Sequence, residues 1–289
     1  MPRHAWDFSD PVLTYSPAGA RAFAQLARAQ VARGVYSAET RLFQAISPQL
    51  MAQLPHQFTL IDLGPGIATN SGIILQAACA AQKLVRYVPV DCSRLFLNCA
   101  ARIARRLGVP CHPIHSTFEA VAQDRILNRD RSARLVLLGL TYTNFWPDRI
   151  HPIIKAIMGP RGATLVSAQP RERVNISKVR RLYESRTNRV LLHAKLHALG
   201  LSPGDIASWT FTDEIRVYVT LRCVTKALAR LGLRPGDRLL FNQSLRHPLS
   251  ALRRQWLRDF HLTLFDHGGE CVAALLRPRH YIQRHFNLQ

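Results

Sequence analysis

One stretch of the chain, residues 58–78, narrows the range of folds more than any other. Residues 58–63 form a short apolar, β-favouring run that ends directly in the glycine turn at 64–66. Apolar residues then recur at helical spacing as far as residue 78. A buried strand, a glycine turn and a helix in immediate succession are typical of the first unit of a parallel α/β sheet.

Further apolar runs repeat this rhythm along the first half of the chain. They do not alternate with polar residues, which is typical of strands that are covered on both faces. Helical periodicity returns between them, so the connections are expected to be helical crossovers. The further predicted strands lie at residues 87–90, 109–114, 135–138 and 163–166.

The pattern changes after residue 170. We expect a long helix at 178–201, a strand or hairpin at 209–223, a strand at 238–244 and a helix at 248–260. A glycine turn at 267–269 separates two final apolar runs, which predicts a C-terminal hairpin. The fold class is therefore expected to be α/β: a Rossmann-like sheet with an antiparallel C-terminal hairpin, plus an inserted α+β unit.

The chain is strongly basic, with 39 Lys and Arg against 18 Asp and Glu and a net charge of +21. A surplus of this size is typical of nucleic-acid binding, where it usually concentrates in one patch. Here the arginines are spread along the whole sequence, in clusters no longer than pairs such as Arg105-Arg106. We therefore expect a small-molecule partner, and a basic nucleic-acid-binding or nucleic-acid-methylating protein remains an alternative.

No motif predicts a metal or a membrane partner. The six cysteines include no Cys-x-x-Cys pair, so we expect buried free thiols. His193 and His197 are spaced like two zinc ligands, but the segment lacks the glutamate of a zinc protease. No apolar run approaches the roughly 18–20 residues that span a bilayer, and the N-terminus has no secretory pattern. A cytoplasmic protein is expected.

Two acidic residues mark a ligand site. Asp62 opens the glycine turn, and Asp91 follows the second predicted strand, where a carboxylate can accept both hydroxyls of a ribose. A dinucleotide-binding turn would have a third glycine, but Ala68 and Thr69 follow here. An acidic residue at the start of the turn suits the cationic sulfonium and amine of S-adenosylmethionine. The expected cofactor is therefore S-adenosylmethionine, as methyl donor or as the substrate itself.

Three segments carry a family resemblance. The expected sheet with its reversed terminal hairpin resembles the class I S-adenosylmethionine-dependent methyltransferases. Residues 138–147, LGLTYTNFWP, resemble the LGxTxxN(F/L)xP segment of the histidine-specific methyltransferases, and residues 87–93, YVPVDCS, match their YxPxDxS segment. Residues 241–246, FNQSLR, correspond more loosely to an acid-x-Ser-x-Lys/Arg segment. That family includes the ergothioneine-pathway enzyme that trimethylates the α-amine of histidine.

The resemblance implies a division of the chain and a set of site residues. A cofactor domain would comprise residues 52–169 and 246–289, and a substrate or lid domain residues 1–51 and 170–245. The implied cofactor residues are Asp62, Gly64 and Gly66 around the methionine part, Asp91 on the ribose, Thr117 and Phe118 by the adenine, and Gly139. The implied catalytic residues are Asn144 and Tyr183, and the implied substrate contacts are Tyr15, Tyr36, Asn242 and Ser244.

The departures from the family pattern predict a different acceptor. The lysine that follows the family's glycine turn appears here as Asn70, and the acid that holds the imidazole appears as Asn242. Without that carboxylate, the charge-assisted hydrogen bond to histidine is lost. The expected function is N-methylation of a small amino acid or amine other than histidine, in specialised metabolism such as natural-product biosynthesis. The alternative is cyclisation of S-adenosylmethionine to azetidine-2-carboxylate with release of methylthioadenosine.

Overall fold

A computed structural model of the protein describes residues 6–33, 35–124, 132–212 and 215–279. The described strands are β1 Trp6–Asp7, β2 Gln57–Leu63, β3 Leu84–Asp91, β4 Ile114–His115, β5 Arg134–Gly139, β6 Ala163–Ala168, β7 Ile206–Phe211, β8 Arg216–Leu221, β9 Arg238–Gln243, β10 Phe260–Phe265 and β11 Val272–Pro278. The described α-helices are α1 Pro17–Arg33, α2 Val35–Ala52, α3 Thr69–Ala80, α4 Arg94–Arg106, α5 Phe118–Ala122, α6 Pro147–Met158, α7 Ile176–Glu184, α8 Arg186–Ala198, α9 Lys226–Arg230 and α10 Leu249–Asp259.

Seven strands form the large sheet, in the order β10-β11-β6-β5-β2-β3-β4. The five from β2 to β6 pair in parallel, and β11 runs antiparallel to both of its neighbours. The predicted fold class, a Rossmann-like sheet with an antiparallel C-terminal hairpin, is confirmed. Because the parallel strands point the same way, their carboxyl ends meet at one edge, where such sheets bind ligands.

Helices cover both faces of this sheet. Strand residues alternate between two cores, so that Leu60 packs with α2, α3 and α4 while its neighbour Ile61 packs with α6 and α10. Strands β5 and β6 are buried along their whole length, as their unbroken apolar runs predict. Helix α6 begins with Pro147 at its first turn and ends at Gly159 with φ +66°, which are common start and stop signals.

A second sheet is built from distant parts of the chain, in the order β1-β9-β8-β7. Strands β7, β8 and β9 are antiparallel neighbours, whereas β1 lies parallel to β9. Leu192 and Leu196 of α8 pack on the buried face of this sheet. The two-residue strand β1 is too short to be recognised from sequence. The proposed domain boundaries at 52, 169 and 246 stay a prediction.

The structure differs from the sequence expectation in three places. The helix expected at 178–201 is two helices, because Ser185 is extended and its side chain accepts a bond from the Asn188 N–H, capping α8. The strand expected at 109–114 is reduced to β4, because Pro110 and Pro113 cannot donate to the ladder. The described cysteines are free, as expected, but only Cys271 is buried.

None of the described helices combines the length and apolar character required to cross a membrane. Within the described residues, no group of three or more His, Cys, Asp and Glu residues is arranged to hold a metal ion.

Candidate active site

A cavity of about 230 Å³ opens at the carboxyl edge of the large sheet. Its walls include residues from the segment before α1, from α1 and α2, from the ends of β2, β3 and β5, from α7 and α8, and from the end of β9 and the residues that follow it. All the sequence-predicted site residues line it, although their individual roles stay predictions. They are Tyr15, Tyr36, Asp62, Gly64, Gly66, Asp91, Thr117, Phe118, Gly139, Asn144, Tyr183, Asn242 and Ser244.

The glycine turn forms one wall of the cavity. Gly64 and Gly66 have φ angles of +77° and +55°, a region that side chains with a Cβ rarely adopt. The Gly64 N–H donates to the Val90 carbonyl at 2.9 Å, which holds the turn against the end of β3. A Cβ on Gly64 would lie 3.4 Å from Phe118 and Thr141. The bare turn therefore keeps the cavity open between the end of β2 and the side chains of Phe118 and Thr141.

Asp62 and Asp91 place two buried carboxyl groups at the ends of β2 and β3. Asp62 accepts hydrogen bonds from the Ser71 hydroxyl and, at 2.6 Å, from the Tyr87 hydroxyl. Asp91 accepts from the Ser93 N–H at 2.8 Å. Burial raises the pKa of Asp62 to about 6 and that of Asp91 to about 7, against the opposing effect of these bonds. Both groups therefore titrate near neutral pH.

These carboxylates fit the proposed occupant. Neither has a cationic partner among the described residues, so ionisation leaves uncompensated negative charge inside the cavity. A cationic sulfonium and an ammonium would supply the missing charge, and a ribose would supply two hydroxyl donors for Asp91. Thr117 caps α5 through a 3.3 Å bond from the Ala120 N–H, which places Phe118 at the start of that helix beside the cavity.

An aromatic cluster forms the wall nearest to α1. Tyr15 meets Phe23 and Phe96 edge-on, with ring centroids 5.5 and 5.6 Å apart, and Phe23 meets Tyr36 at 6.2 Å. Burial raises the pKa of both tyrosine hydroxyls, so they stay protonated at neutral pH. Aromatic rings of this kind stabilise a nearby sulfonium or ammonium by about 0.5–2 kcal/mol.

The segment with Asn144 is docked on the second sheet. Residues Leu140–Asn144 form a short 3₁₀ turn after β5. The Leu245 N–H donates to the Thr143 carbonyl at 2.7 Å, and the Gln243 side chain donates to the Asn144 carbonyl at 3.1 Å. Trp146, and not Asn144, is the cap position of the helix that follows, so the Asn144 side chain has no capping role. These bonds bring Asn144, Asn242 and Ser244 into one wall.

The break between α7 and α8 positions Tyr183. The Asn188 side chain donates to the Tyr183 carbonyl at 2.8 Å, which fixes the last turn of α7 at the cavity. A single long helix would continue the backbone past this point. The helix break that the sequence interpretation missed is therefore part of the site.

Glu39 is a cavity residue that the sequence interpretation did not identify. It is 4% exposed, and it accepts bonds from the Ser167 hydroxyl, from the Leu140 N–H at 2.7 Å and from Asn70 Nδ2 at 2.8 Å. Burial raises its pKa, and these bonds oppose the rise. Its position one helical turn after Tyr36 was the available signal, because residues three apart share a helix face.

Arg246 is the second such residue. It closes the loosely matching segment 241–246, where a basic residue was noted without a role. Its side chain is buried in the cavity wall and donates to the Ser244 hydroxyl at 2.8 Å. The cavity thus carries carboxyl groups near the glycine turn and one guanidinium near Ser244.

Comparison with solved structures returned matches of low sequence identity, several of which are methyltransferases. A S-adenosylmethionine-dependent methyltransferase from Clostridium acetobutylicum ATCC 824 is 14% identical, with a TM-score of 0.49 over 89% of this chain and 98% of that chain. DhpI in complex with SAH is 11% identical, with a TM-score of 0.44 over 91% and 98%. The plantazolicin methyltransferase BpumL is 13% identical, with a TM-score of 0.44 over 91% of each chain. A comparison with curated protein sequences found no match.

The match to a family model is more specific than these structural similarities. A family model described as histidine-specific methyltransferase, SAM-dependent, matches residues 9–188, which is more than half of the chain. The match includes the glycine turn, Asp91, the 3₁₀ turn with Asn144, and Tyr183. The cofactor predicted from the sequence, S-adenosylmethionine, is the one that this family uses. The chain belongs to the S-adenosylmethionine-dependent, histidine-specific methyltransferase family.

Proposed function

We propose that the protein transfers a methyl group from S-adenosylmethionine to the nitrogen of a small amino acid or amine other than histidine. One observation carries the proposal. A single cavity contains the buried carboxyl groups of Asp62 and Asp91 on one side. On the other side is the wall formed by Asn144, Asn242 and Ser244, which carries amide and hydroxyl groups and has an asparagine at position 242. A histidine ring would find no carboxylate at that position.

The reaction requires little acid–base catalysis by the protein, because the leaving group is neutral. S-adenosylmethionine, when bound, supplies a methyl group on a sulfonium, and the C–S bonding electrons stay on the neutral thioether that leaves. The acceptor nitrogen must reach the site unprotonated and aligned with the C–S bond. Burial in the cavity lowers the pKa of an ammonium group, and the Asn144 and Tyr183 oxygens can accept its N–H bonds. Such positioning supplies roughly 7–11 kcal/mol.

Glu39 favours a second candidate, cyclisation of S-adenosylmethionine as the substrate. Its carboxylate accepts bonds from Asn70 and from Leu140, beside the turn proposed to hold the methionine part. A buried carboxyl with a raised pKa there can hold the substrate's own amine and take its proton. The amine nitrogen would bond to the γ-carbon as the C–S bond breaks, giving azetidine-2-carboxylate and methylthioadenosine.

One experiment separates the two candidates. Purified protein is incubated with S-adenosylmethionine alone, and in parallel with a mixture of amino acids and amines, and the adenosyl product is identified by mass spectrometry. We expect S-adenosylhomocysteine only when the mixture is present, with a 14 Da gain per methyl group on the acceptor. Histidine alone is expected to give no product.

Each other outcome has a definite meaning. Methylthioadenosine together with azetidine-2-carboxylate, formed without acceptor, would establish the second candidate and reject the first. Efficient methylation of histidine would reject the inference drawn from Asn242. The Arg258→Gln variant, at an exposed residue that does not line the cavity, should give the same products as the wild type.

A further inference from the structure

Arg246 is a buried cation in the cavity wall with no paired carboxylate among the described residues. Its side chain is 4% exposed. Its hydrogen bonds to described residues all leave from Nη1: to the Ser244 hydroxyl at 2.8 Å, the Ser244 carbonyl at 3.0 Å and the Leu245 carbonyl at 3.3 Å. These acceptors are neutral. These three oxygens orient the guanidinium, but they carry no negative charge that would pair with it.

The described residues leave the remaining edge of the guanidinium without a hydrogen-bond partner. Nε is buried and has no hydrogen-bond partner. Nε and Nη2 together form the side edge on which a carboxylate makes two parallel hydrogen bonds. Because the protein uses Nη1 alone, the bidentate edge is left for another group.

Among the described residues, no carboxylate pairs directly with Arg246, although Glu39 lies close enough to act on it electrostatically. Tyr36 and Tyr183 line the same cavity with neutral hydroxyls, and Asn242 contributes a neutral amide. Glu39 is a carboxyl in this cavity, but its bonds go to Asn70, Leu140 and Ser167, and no ion pair joins it to Arg246. An arginine keeps its proton even when buried, and an unpaired buried charge costs several kcal/mol. A bound anion would remove that cost.

We propose that Arg246, together with the Ser244 hydroxyl, binds a carboxylate of the acceptor. The acceptor is then an amino acid that retains a free carboxylate, and simple amines are poor substrates. This inference rests on the proposed methyl transfer and narrows its acceptor class. S-adenosylmethionine also has a carboxylate that Arg246 could bind. The second test below distinguishes the carboxylate of the acceptor from that of the cofactor.

The first test measures binding, so it does not depend on turnover. The protein is saturated with S-adenosylhomocysteine, and its thermal unfolding is followed with sodium acetate or acetamide at constant ionic strength, adjusted with sodium chloride. We expect acetate to raise Tm and acetamide, its neutral isostere, to leave it unchanged. In the Arg246→Gln variant the acetate effect should disappear. Arg149→Gln is the matched control, because Arg149 also lines the cavity but is paired with Asp10 and Glu119.

The second test identifies the source of the carboxylate. The affinity for S-adenosylhomocysteine is measured by calorimetry in the wild type and in Arg246→Gln. We expect a change of less than threefold, because the arginine is proposed to bind the acceptor. A loss of tenfold or more would overturn the proposal and place the cofactor's own carboxylate on Arg246. Arg246→Lys retains the charge without the bidentate edge, so it provides a folded variant if glutamine prevents folding.

The third test uses the acceptor found by the mass-spectrometric screen. Its kcat/KM is compared with that of its carboxamide in the wild type and in Arg246→Lys. We expect the wild type to prefer the free acid at least tenfold, and the variant to lose most of that preference. Equal activity on acid and amide would overturn the inference and leave methyl transfer standing. Acetate binding without any methyl transfer would confirm the anion site and reject the proposed function.

Discussion

Glu39 and Asn70 join helices α2 and α3 through a 2.8 Å hydrogen bond from Asn70 Nδ2 to Glu39 Oε2 inside the cavity. The other carboxylate oxygen accepts from the Leu140 N–H and from the Ser167 hydroxyl, at the ends of β5 and β6. One buried carboxyl thus connects two helices with two strands of the large sheet. Asn70 stands where the family pattern has a lysine, and in this chain its amide serves that carboxyl.

Replacing Glu39 by glutamine should reduce turnover at least tenfold with little loss of folding stability. Glutamine has the same size as glutamate and keeps an oxygen that accepts from the Leu140 N–H. It removes the negative charge, and its NH₂ group then faces the NH₂ group of Asn70, so that hydrogen bond is lost. Removing a buried charge offsets the lost bonds, so the free energy of unfolding should change by less than about 1.5 kcal/mol. Steady-state kinetics and thermal unfolding check both parts. Glu119→Gln, at a half-exposed cavity residue paired with Arg149, is the control. Wild-type turnover in Glu39→Gln would show that the charge of this carboxyl has no part in the reaction.

Asn144→Ala should lower kcat by about 100-fold or more while the affinity for S-adenosylhomocysteine changes less than threefold. The side chain is proposed to hold the acceptor amine, and misplacement of a reacting group by about 1 Å costs this much. The backbone bond from Gln243 to the Asn144 carbonyl does not involve the side chain, so the turn should survive. Single-turnover kinetics and calorimetry give the two values. Asn98→Ala, at an exposed position of α4, is the matched control, and full activity in Asn144→Ala would remove this residue from the mechanism.

The affinity for S-adenosylhomocysteine should fall as the pH is lowered from 8 to 6. Burial raises the pKa of Asp91 to about 7, so the carboxylate that accepts the ribose hydroxyls is lost through this range. Asp91→Asn should bind at least tenfold more weakly at pH 8. Its remaining pH dependence should shift towards pH 6, where Asp62 titrates. Calorimetry between pH 5.5 and 8.5 tests this, and an unchanged profile in the variant would show that Asp91 does not contact the ligand.

The same shift has the opposite effect on the stability of the ligand-free protein. A carboxyl whose pKa is raised by folding binds more protons in the folded than in the unfolded state between pH 4 and 7. Its contribution is therefore present at low pH and is lost as the pH rises through about 7. Relative to Asp91→Asn, the wild type should lose stability between pH 4 and 7, by up to about 1.4 kcal/mol per pH unit, and the difference should level off above about pH 7. Urea unfolding of both proteins measures the difference, and a constant difference would contradict the raised pKa.

Gly139→Ala should destabilise the protein by about 2–4 kcal/mol and abolish cofactor binding. Gly139 has φ +52° and ψ −144°, a conformation essentially restricted to glycine, and an added Cβ would lie 2.7 Å from Glu39 Oε1. Gly108→Ala is the matched control, because Gly108 has φ +66° but nothing within 4 Å of an added Cβ. That variant should lose only about 1 kcal/mol. Equal losses in the two variants would show that the contact with Glu39 has no effect.

The parts of the site that the sequence predicted lie in contiguous motifs at strand ends. Asp62 and the glycine turn, Asp91 and the segment around Asn144 each follow a recognisable strand, and parallel strands deliver their carboxyl ends to one edge. Glu39 and Arg246 come from outside that pattern. They reach the cavity through the packing of α2 and the docking of residues 243–245 on the 3₁₀ turn, which are long-range contacts. The spacing of Glu39 from Tyr36 indicates a shared helix face, but it does not show that this face meets the cavity.

The errors in the fold prediction have local causes. Residues 178–201 keep helical periodicity on both sides of Ser185, so periodicity alone predicts one helix, and the side-chain cap on the Asn188 N–H breaks it. The apolar run at 109–114 looks like a strand, but its two prolines remove ladder donors. In the first case one polar residue outweighs the pattern of its neighbours, and in the second case two prolines do.

Strand β1 constrains the order in which this enzyme can be assembled. Trp6 and Asp7 pair with Leu239 and Leu240, and the Phe8 N–H donates to the Leu240 carbonyl at 2.9 Å. During synthesis β1 leaves the ribosome more than 200 residues before β9. The cavity wall on the acceptor side is therefore completed only after β9 has emerged, long after the glycine turn has been made. The residues proposed to hold S-adenosylmethionine, from Asp62 to Gly139, all lie in the first half of the chain, so the acceptor side of the cavity is the part that synthesis adds last.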